Sequence, residues 1–106
     1  MSQFKVGHLA DYAPNTAYRV DVDGEDVVLV RDGNHMYALE DRCSHAEVAL
    51  SDGDVNGCEI ECFLHGAKFD VRSGQALSLP ATSAVKTFPV TIDDPDGTAA
   101  VYVEIG

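Results

Sequence analysis

Two short pairs of cysteine and histidine constrain this chain more than any other feature of its sequence. Cys43 and His45 form a Cys-x-His pair, and after sixteen further residues Cys62 and His65 form a Cys-x-x-His pair. Thiolate and imidazole are transition-metal ligands, and two such clusters separated by a loop suit one metal centre in a small fold. Zinc modules usually place two cysteines in one cluster and two histidines in the other. Because each pair here mixes both types, the pattern suits two different metal ions, one bound by both cysteines and one by both histidines.

The remainder of the sequence has the pattern of an all-β protein. Asp-Gly and Asn-Gly dipeptides, which favour tight hairpin turns, recur along the chain. The β-rich runs between the turns predict strands at Tyr18–Val22, Val27–Arg31, His35–Leu39, Cys58–Cys62, Ala67–Val71, Lys86–Ile92 and Ala99–Ile105. No window of helical length has a clean apolar period of 3.6 residues. We therefore expect an antiparallel β-sandwich or small barrel, with a short helical turn or loop over residues 8–14.

The third cysteine, Cys58, lies outside both pairs and is predicted to be structural. Alternation along a strand places Cys58, Ile60 and Cys62 on one face, while Glu59 and Glu61 point the other way. Cys58 is accordingly expected to be a small buried apolar residue. An odd number of cysteines also argues against a disulfide framework. His8 and His35 have no cysteine nearby in the sequence, and we expect both to be ordinary surface or packed histidines.

The four ligand residues and the glycine that follows them, C-x-H and C-x-x-H-G, resemble the Rieske iron–sulfur domain. The stretch G-A-K-F-D-V-R-S-G-Q-A-L-S-L-P-A at residues 66–81 continues this resemblance, which spans nearly all 106 residues. The chain is similar to the ferredoxin components of bacterial multicomponent aromatic-ring dioxygenases, such as those acting on biphenyl, toluene, naphthalene or carbazole. The resemblance implies one domain, residues 1–106. Its cluster-binding part, about 41–82, would be inserted as loops at one end of a basal β domain formed by the remainder.

The resemblance also implies the cofactor and the role. One [2Fe–2S] cluster would be bound by Cys43, His45, Cys62 and His65. The protein would be a one-electron carrier between an NAD(P)H-dependent flavoprotein reductase and the Rieske centre of a terminal oxygenase, and would not itself turn over a substrate. The segment Leu77–Ala81 resembles the proline loop that covers the cluster in this fold.

The same resemblance identifies four further positions that are expected to affect the reduction potential. Quinol-oxidising Rieske proteins carry two additional cysteines, joined in a disulfide, where this chain has Val48 and Leu64. They also carry a serine and a tyrosine whose hydroxyls hydrogen-bond to sulfur, where this chain has Ala67 and Phe69. Without these donors, we expect a potential at the low end of the Rieske range, around −150 mV.

The net charge and the hydropathy of the chain indicate which classes of partner and which cellular compartment to expect. The chain has 18 acidic against 7 basic residues, for a net charge of −11. Nucleic acids and anionic membranes are poor partners for such a surface, whereas a basic protein surface is a good one, and Glu47 is the acidic residue nearest a predicted ligand histidine. No apolar run approaches the ~20 residues of a membrane span, and the N-terminus lacks a signal sequence. We expect a cytoplasmic monomer that forms transient complexes.

Two other functions fit parts of the pattern. One is the small Rieske-like subunit of an assimilatory nitrite reductase, although some of those subunits lack the ligands that are present here. The other is a structural zinc module that acts as an interaction domain. Colour and iron content separate the zinc module from either Rieske function.

Overall fold

The computed structural model describes residues 2–42, 48–63, 66–78, 83–94 and 98–105, and more than half of these residues are β-strand. Within these ranges the strands are β1 (Ser2–His8), β2 (Ala17–Val22), β3 (Glu25–Asp32), β4 (His35–Glu40), β5 (Asp54–Asn56), β6 (Glu59–Glu61), β7 (Lys68–Asp70), β8 (Thr87–Phe88), β9 (Val90–Asp93) and β10 (Ala100–Ile105). Two 3₁₀ turns, Leu9–Asp11 and Leu50–Asp52, are the helical segments of this part of the chain. The prediction of an all-β antiparallel fold is confirmed.

The strands form three antiparallel sheets. A basal sheet has the order β1-β10-β9, a central sheet has the order β2-β3-β4-β8, and a third sheet has the order β5-β6-β7. The third sheet is a meander contained within residues 54–70. In the sequence it lies between β4 and β8, which are neighbours in the central sheet. We call it the ligand sheet, because Cys62 directly follows its middle strand.

Strand β3 holds the layers together. The four residues from Val27 to Val30 each have 0% of their surface exposed. Because side chains alternate across a strand, Val28 and Val30 point to one side of the central sheet and Val27 and Leu29 to the other. A strand that is apolar on both faces must be covered on both. The ligand sheet covers one face and the basal sheet covers the other.

This alternation divides the interior into two cores. The ligand-side core consists of Val28, Val30, Leu39, Leu50, Val55, Ile60, Cys62, Ala67, Phe69, Val71 and Val85. The basal core consists of Tyr12, Val22, Val27, Leu29, Met36, Ala38, Phe88, Val101 and Val103. The predicted shared face of β10 lies here, since Val101 and Val103 are buried and Ile105 packs against the same core.

The strands differ from the predicted ones at three places. The predicted runs do not include β1 or β5. The run Lys86–Ile92 is divided at Pro89 into β8 and β9, which pair with different sheets. Proline has no N–H to donate to a ladder, so a strand is readily interrupted at this residue. The segment after β1 forms the short helical turn expected there, and it ends before Pro14.

Cys58 differs from its predicted role as a simple buried apolar residue. It packs against the ligand-side core but is only partly buried. Its thiol donates a 2.8 Å hydrogen bond to Asp32 Oδ2, which links the β5–β6 turn to the end of β3. That hydrogen bond, together with desolvation and the negative charge of Asp32, raises the pKa of the Cys58 thiol above its ordinary value. Beside it, the Gly57 N–H donates to Asn15 Oδ1 at 2.9 Å.

The raised pKa predicts slow alkylation of Cys58 at neutral pH. The thiolate is the nucleophile, so the rate of reaction with iodoacetamide should reach half its maximum at a pH above that of an ordinary cysteine. Asp32→Asn removes the carboxylate charge, which should lower the thiol pKa and shift this midpoint to lower pH. Asp23→Asn, in the β2–β3 turn, is the control and should leave it unchanged. Peptide mapping after alkylation over a pH series measures the midpoint, and equal midpoints in the wild type and Asp32→Asn would contradict the assignment.

Candidate metal centre

The structure places one of the four predicted ligands. Cys62 follows β6 directly and is fully buried in the ligand-side core. The other three, Cys43, His45 and His65, lie outside the described residues. No group of three or more metal-binding side chains occurs within the described ranges, which include only this one of the predicted set. The segments on either side of both ligand loops are described, and they show how each loop is held.

The second ligand loop, residues 62–67, is the connection of the β6–β7 hairpin. Glu61 pairs with Lys68 at the end of the two strands. The Cys62 N–H then donates to the Ala67 carbonyl at 2.7 Å, which closes the base of the loop. Gly66 has φ of +71°, in the left-handed region that favours glycine, so the chain can turn immediately after the predicted ligand His65. Ala67 and Phe69 are fully buried.

A buried carboxylate that the sequence pattern did not reveal joins the two ends of the segment between Asp41 and Ser51. We call this segment, which contains Cys43 and His45, the first ligand loop. Asp41 precedes the loop, and its side chain is 0% exposed. It accepts hydrogen bonds from the Ser51 N–H (2.7 Å), the Ser51 hydroxyl (2.7 Å) and Arg19 Nε (2.8 Å). The Asp41 N–H donates to the Asp26 carbonyl at 3.0 Å. The hydrogen bond to Asp41 and the charge of its carboxylate raise the pKa of the Arg19 guanidinium, which stays protonated.

Gly53 packs closely against the strand that precedes Cys62. It follows the 3₁₀ turn Leu50–Asp52, and its N–H donates to the Leu50 carbonyl at 2.9 Å. A Cβ atom at this position would overlap the Glu61 carbonyl, one residue before Cys62. The backbone φ of −93° is ordinary, so glycine is required here by close approach and not by conformation.

Apolar side chains are exposed at the same end of the ligand sheet. Among the described residues, the large apolar side chains classed as exposed are Phe63 (58%) and Leu77 (47%). Phe63 follows Cys62, and the Leu77 N–H donates to the Lys68 carbonyl at 2.7 Å, next to β7. The Lys68 N–H in turn donates to Ser78 Oγ at 3.0 Å. These bonds fix the beginning of the predicted proline loop, whose residues 79–81 lie outside the described ranges.

Comparison with known proteins identifies the family. The Rieske [2Fe-2S] domain family matches residues 2–89 of the chain, which include both ligand pairs and all three sheets except β9 and β10. The chain belongs to the Rieske [2Fe-2S] domain family. A Rieske domain implies a [2Fe–2S] cluster, so the predicted type of cofactor is confirmed, whereas the identity of its ligands stays a prediction.

Relatives and solved structures of similar size agree with this family. The "Naphthalene 1,2-dioxygenase system, ferredoxin component" of Pseudomonas putida is 38% identical over 86 residues, covering 81% of this chain and 83% of that protein. A solved structure, "Ferredoxin of carbazole 1,9a-dioxygenase from Nocardioides aromaticivorans IC177", is 37% identical with a TM-score of 0.91 and full coverage of both chains. Another, "Complex of reduced oxygenase and oxidized ferredoxin in carbazole 1,9a-dioxygenase", is 35% identical with a TM-score of 0.86, covering 95% of this chain and 100% of that one.

The described residues fit a cluster of this type. Cys62 offers a thiol at the end of strand β6, and Ala67 and Phe69 nearby in the sequence are fully buried and apolar. Phe63, the residue after Cys62, is exposed at the molecular surface. In the described part of the chain, no helix is long and apolar enough to cross a membrane.

The close approach at Gly53 predicts that Gly53→Ala lowers both cluster content and stability. The added methyl group must separate the first ligand loop from Glu61, so the free energy of unfolding should fall by about 2 kcal/mol or more. Gly24→Ala is the control, because a Cβ there meets no atom within 4 Å and only a positive φ of +84° opposes it. Iron per chain and chemical denaturation measure the two effects. A variant with full iron content and wild-type stability would show that the segments do not need this contact.

Proposed function

We propose that this chain is a one-electron carrier of a multicomponent aromatic-ring dioxygenase system. It would accept electrons from an NAD(P)H-dependent flavoprotein reductase and deliver them to the Rieske centre of a terminal oxygenase. The observation that carries this proposal is the agreement of a complete Rieske fold with relatives named as ferredoxin components, over more than four-fifths of both chains. A carrier of this kind does not itself turn over a substrate.

Cys43, His45, Cys62 and His65 are proposed as the cluster ligands, with both cysteines on one iron and both histidines on the other. A bound [2Fe–2S] cluster supplies a single-electron redox couple. The burial of Cys62 and the closed base of its loop support this role, because they hold one ligand in a fixed place on the hairpin. The proposed cluster-binding part, about residues 41–82, contains the ligand sheet, while the remainder of residues 1–106 forms the basal domain.

Surface chemistry supports transient partners. Phe63 and Leu77 expose apolar surface at the end of the ligand sheet that carries Cys62. The net charge of −11 favours a partner with a basic surface and a rate of association that falls with salt. The solved complex of oxygenase and ferredoxin supports an oxygenase as one partner, and the reductase is proposed as the other. Weak electron-transfer encounters need only small interfaces, which suits a cytoplasmic monomer.

Electron paramagnetic resonance tests the proposal directly. The dithionite-reduced protein should give a rhombic signal, with about two irons and two sulfides per chain. Cys43→Ser, Cys62→Ser, His45→Gln and His65→Gln should each abolish that signal, whereas Cys58→Ser and His8→Gln are matched controls that should retain it. The protein should also support oxygenase turnover when mixed with a reductase and terminal oxygenase of an aromatic-ring dioxygenase system. A colourless protein that contains zinc would establish the structural module instead. A normal cluster with turnover only in a nitrite reductase would establish the other alternative.

Two buried residues, one in the second ligand loop and one in β7, should affect the reduction potential. Ala67→Ser together with Phe69→Tyr adds hydroxyl groups at positions where higher-potential Rieske proteins hydrogen-bond to sulfur, which should raise the reduction potential. Ala67→Val with Phe69→Leu is the control, because it changes the shape of the same sites without adding a donor. Spectroelectrochemical titration measures the midpoint. An unchanged or lowered potential in the first double variant would refute this account.

A further inference from the structure

A single buried carboxylate joins the two ends of the first ligand loop. Asp41 is the one charged residue in the described ranges that is buried, and it lies two positions before Cys43. Its partner Ser51 lies ten positions later, at the return of the loop. We propose that Asp41 is a positioning residue that clamps this loop shut and thereby holds Cys43 and His45 in place for the cluster. The inference rests on the proposed function and deepens it.

The geometry makes Asp41 and Ser51 a two-point connection. Oδ1 accepts the Ser51 N–H and Oδ2 accepts the Ser51 hydroxyl, both at 2.7 Å, so the two residues are fixed in orientation as well as in distance. Hydrogen bonds to an ionised acceptor are short and strong. At the start of the loop, the Asp41 N–H donates to the carbonyl of Asp26, which connects Asp41 to β3.

The burial of Asp41 indicates that its hydrogen bonds are needed. Burying a carboxylate costs free energy unless hydrogen bonds replace its water. Arg19 supplies one of them, at 2.8 Å, to a carboxylate that has no exposed surface. The other two donors among the described residues both come from Ser51. Two of the three described hydrogen bonds that offset the cost of burial are therefore ones that join the ends of the loop.

The clamp also reaches the second ligand loop. Leu50, next to Ser51, is fully buried in the ligand-side core with Cys62. Two residues beyond Ser51, Gly53 packs against the Glu61 carbonyl, one residue before Cys62. Fixing Ser51 therefore sets the return of the first loop relative to the strand that delivers the second cysteine. A displacement of Ser51 would change the distance between the end of the first ligand loop and the strand that precedes Cys62.

The test compares the wild type with Asp41→Asn, Ser51→Ala and Asp26→Asn in the cluster-loaded protein. Asp41→Asn keeps the shape of the side chain but replaces one acceptor oxygen with a donor. Ser51→Ala removes only the hydroxyl donor and retains the peptide N–H. Asp26→Asn is the matched control: it removes the same unit charge from the neighbourhood of Arg19, and the carbonyl that Asp41 uses remains. Bleaching of the visible spectrum in excess chelator gives the rate of cluster loss, and hydrogen exchange of the cluster-free protein gives the protection of the Ser51 amide.

We expect Asp41→Asn to lose its cluster roughly tenfold faster than the wild type, because a charged hydrogen-bond acceptor has been removed. Ser51→Ala should be intermediate, and Asp26→Asn should match the wild type. The reduced Asp41→Asn protein should show a broadened electron paramagnetic resonance line, because the ligands occupy a wider range of positions. In the cluster-free Asp41→Asn protein, the Ser51 amide should lose protection while amides of β3 and β10 keep theirs. This pattern separates positioning of the loop from a general loss of stability.

Each other outcome decides against one claim. A wild-type protein without an iron–sulfur signal would refute the proposed function, whatever the variants do. A normal wild-type cluster with equal rates of loss in the wild type, Asp41→Asn and Ser51→Ala would refute the clamp alone. If Asp41→Asn does not fold, as judged by circular dichroism, Ser51→Ala decides the question through the same rates. Equal acceleration in Asp26→Asn would assign the effect to lost charge and overturn the inference.

Discussion

Burial of β3 on both faces is the constraint on which the rest of this fold depends. Val27 to Val30 are four consecutive apolar residues with no exposed surface, and each such side chain contributes about 1.5–3 kcal/mol when fully buried. A strand of this kind needs a layer on each side. The chain supplies one layer from its two ends, as β1, β9 and β10, and the other from the segment between β4 and β8. The ligand loops are thus attached to the layer that is contained within a single segment of the sequence.

The sequence predicted the central strands well because their pattern is local. Valine-containing runs beside the Asp23-Gly24 turn mark β2 and β3, the Asp32-Gly33 turn marks the start of β4, and the alternation of β10 identifies its buried face. Strand β5 was missed because only Val55 of its three residues is buried, so it carries no apolar pattern. The division at Pro89 has a visible local cause, but the assignment of β8 and β9 to different sheets depends on pairing with distant strands.

The sequence predicted the two ligand pairs of the candidate site but not the contact between Asp41 and Ser51. The two cysteine–histidine pairs can be read from the sequence because metal ligands cluster at short spacings. The assignment of the four ligands stays a prediction, since the structure describes only Cys62 among them. The clamp between Asp41 and Ser51 had no such signal. The chain has 18 acidic residues, and the local sequence does not distinguish Asp41 from the others. What distinguishes Asp41 is its contact with Ser51, ten residues later, which only the folded structure shows.

The division into two cores has a consequence for how the holoprotein is made. Among the described residues, the ligand-side core and the basal core lie on opposite faces of the central sheet, so opening of the ligand layer leaves the basal core covered. Segments of a protein that open independently in this way behave as separate cooperative units. A cluster could therefore be inserted into an open ligand layer while the basal scaffold stays folded.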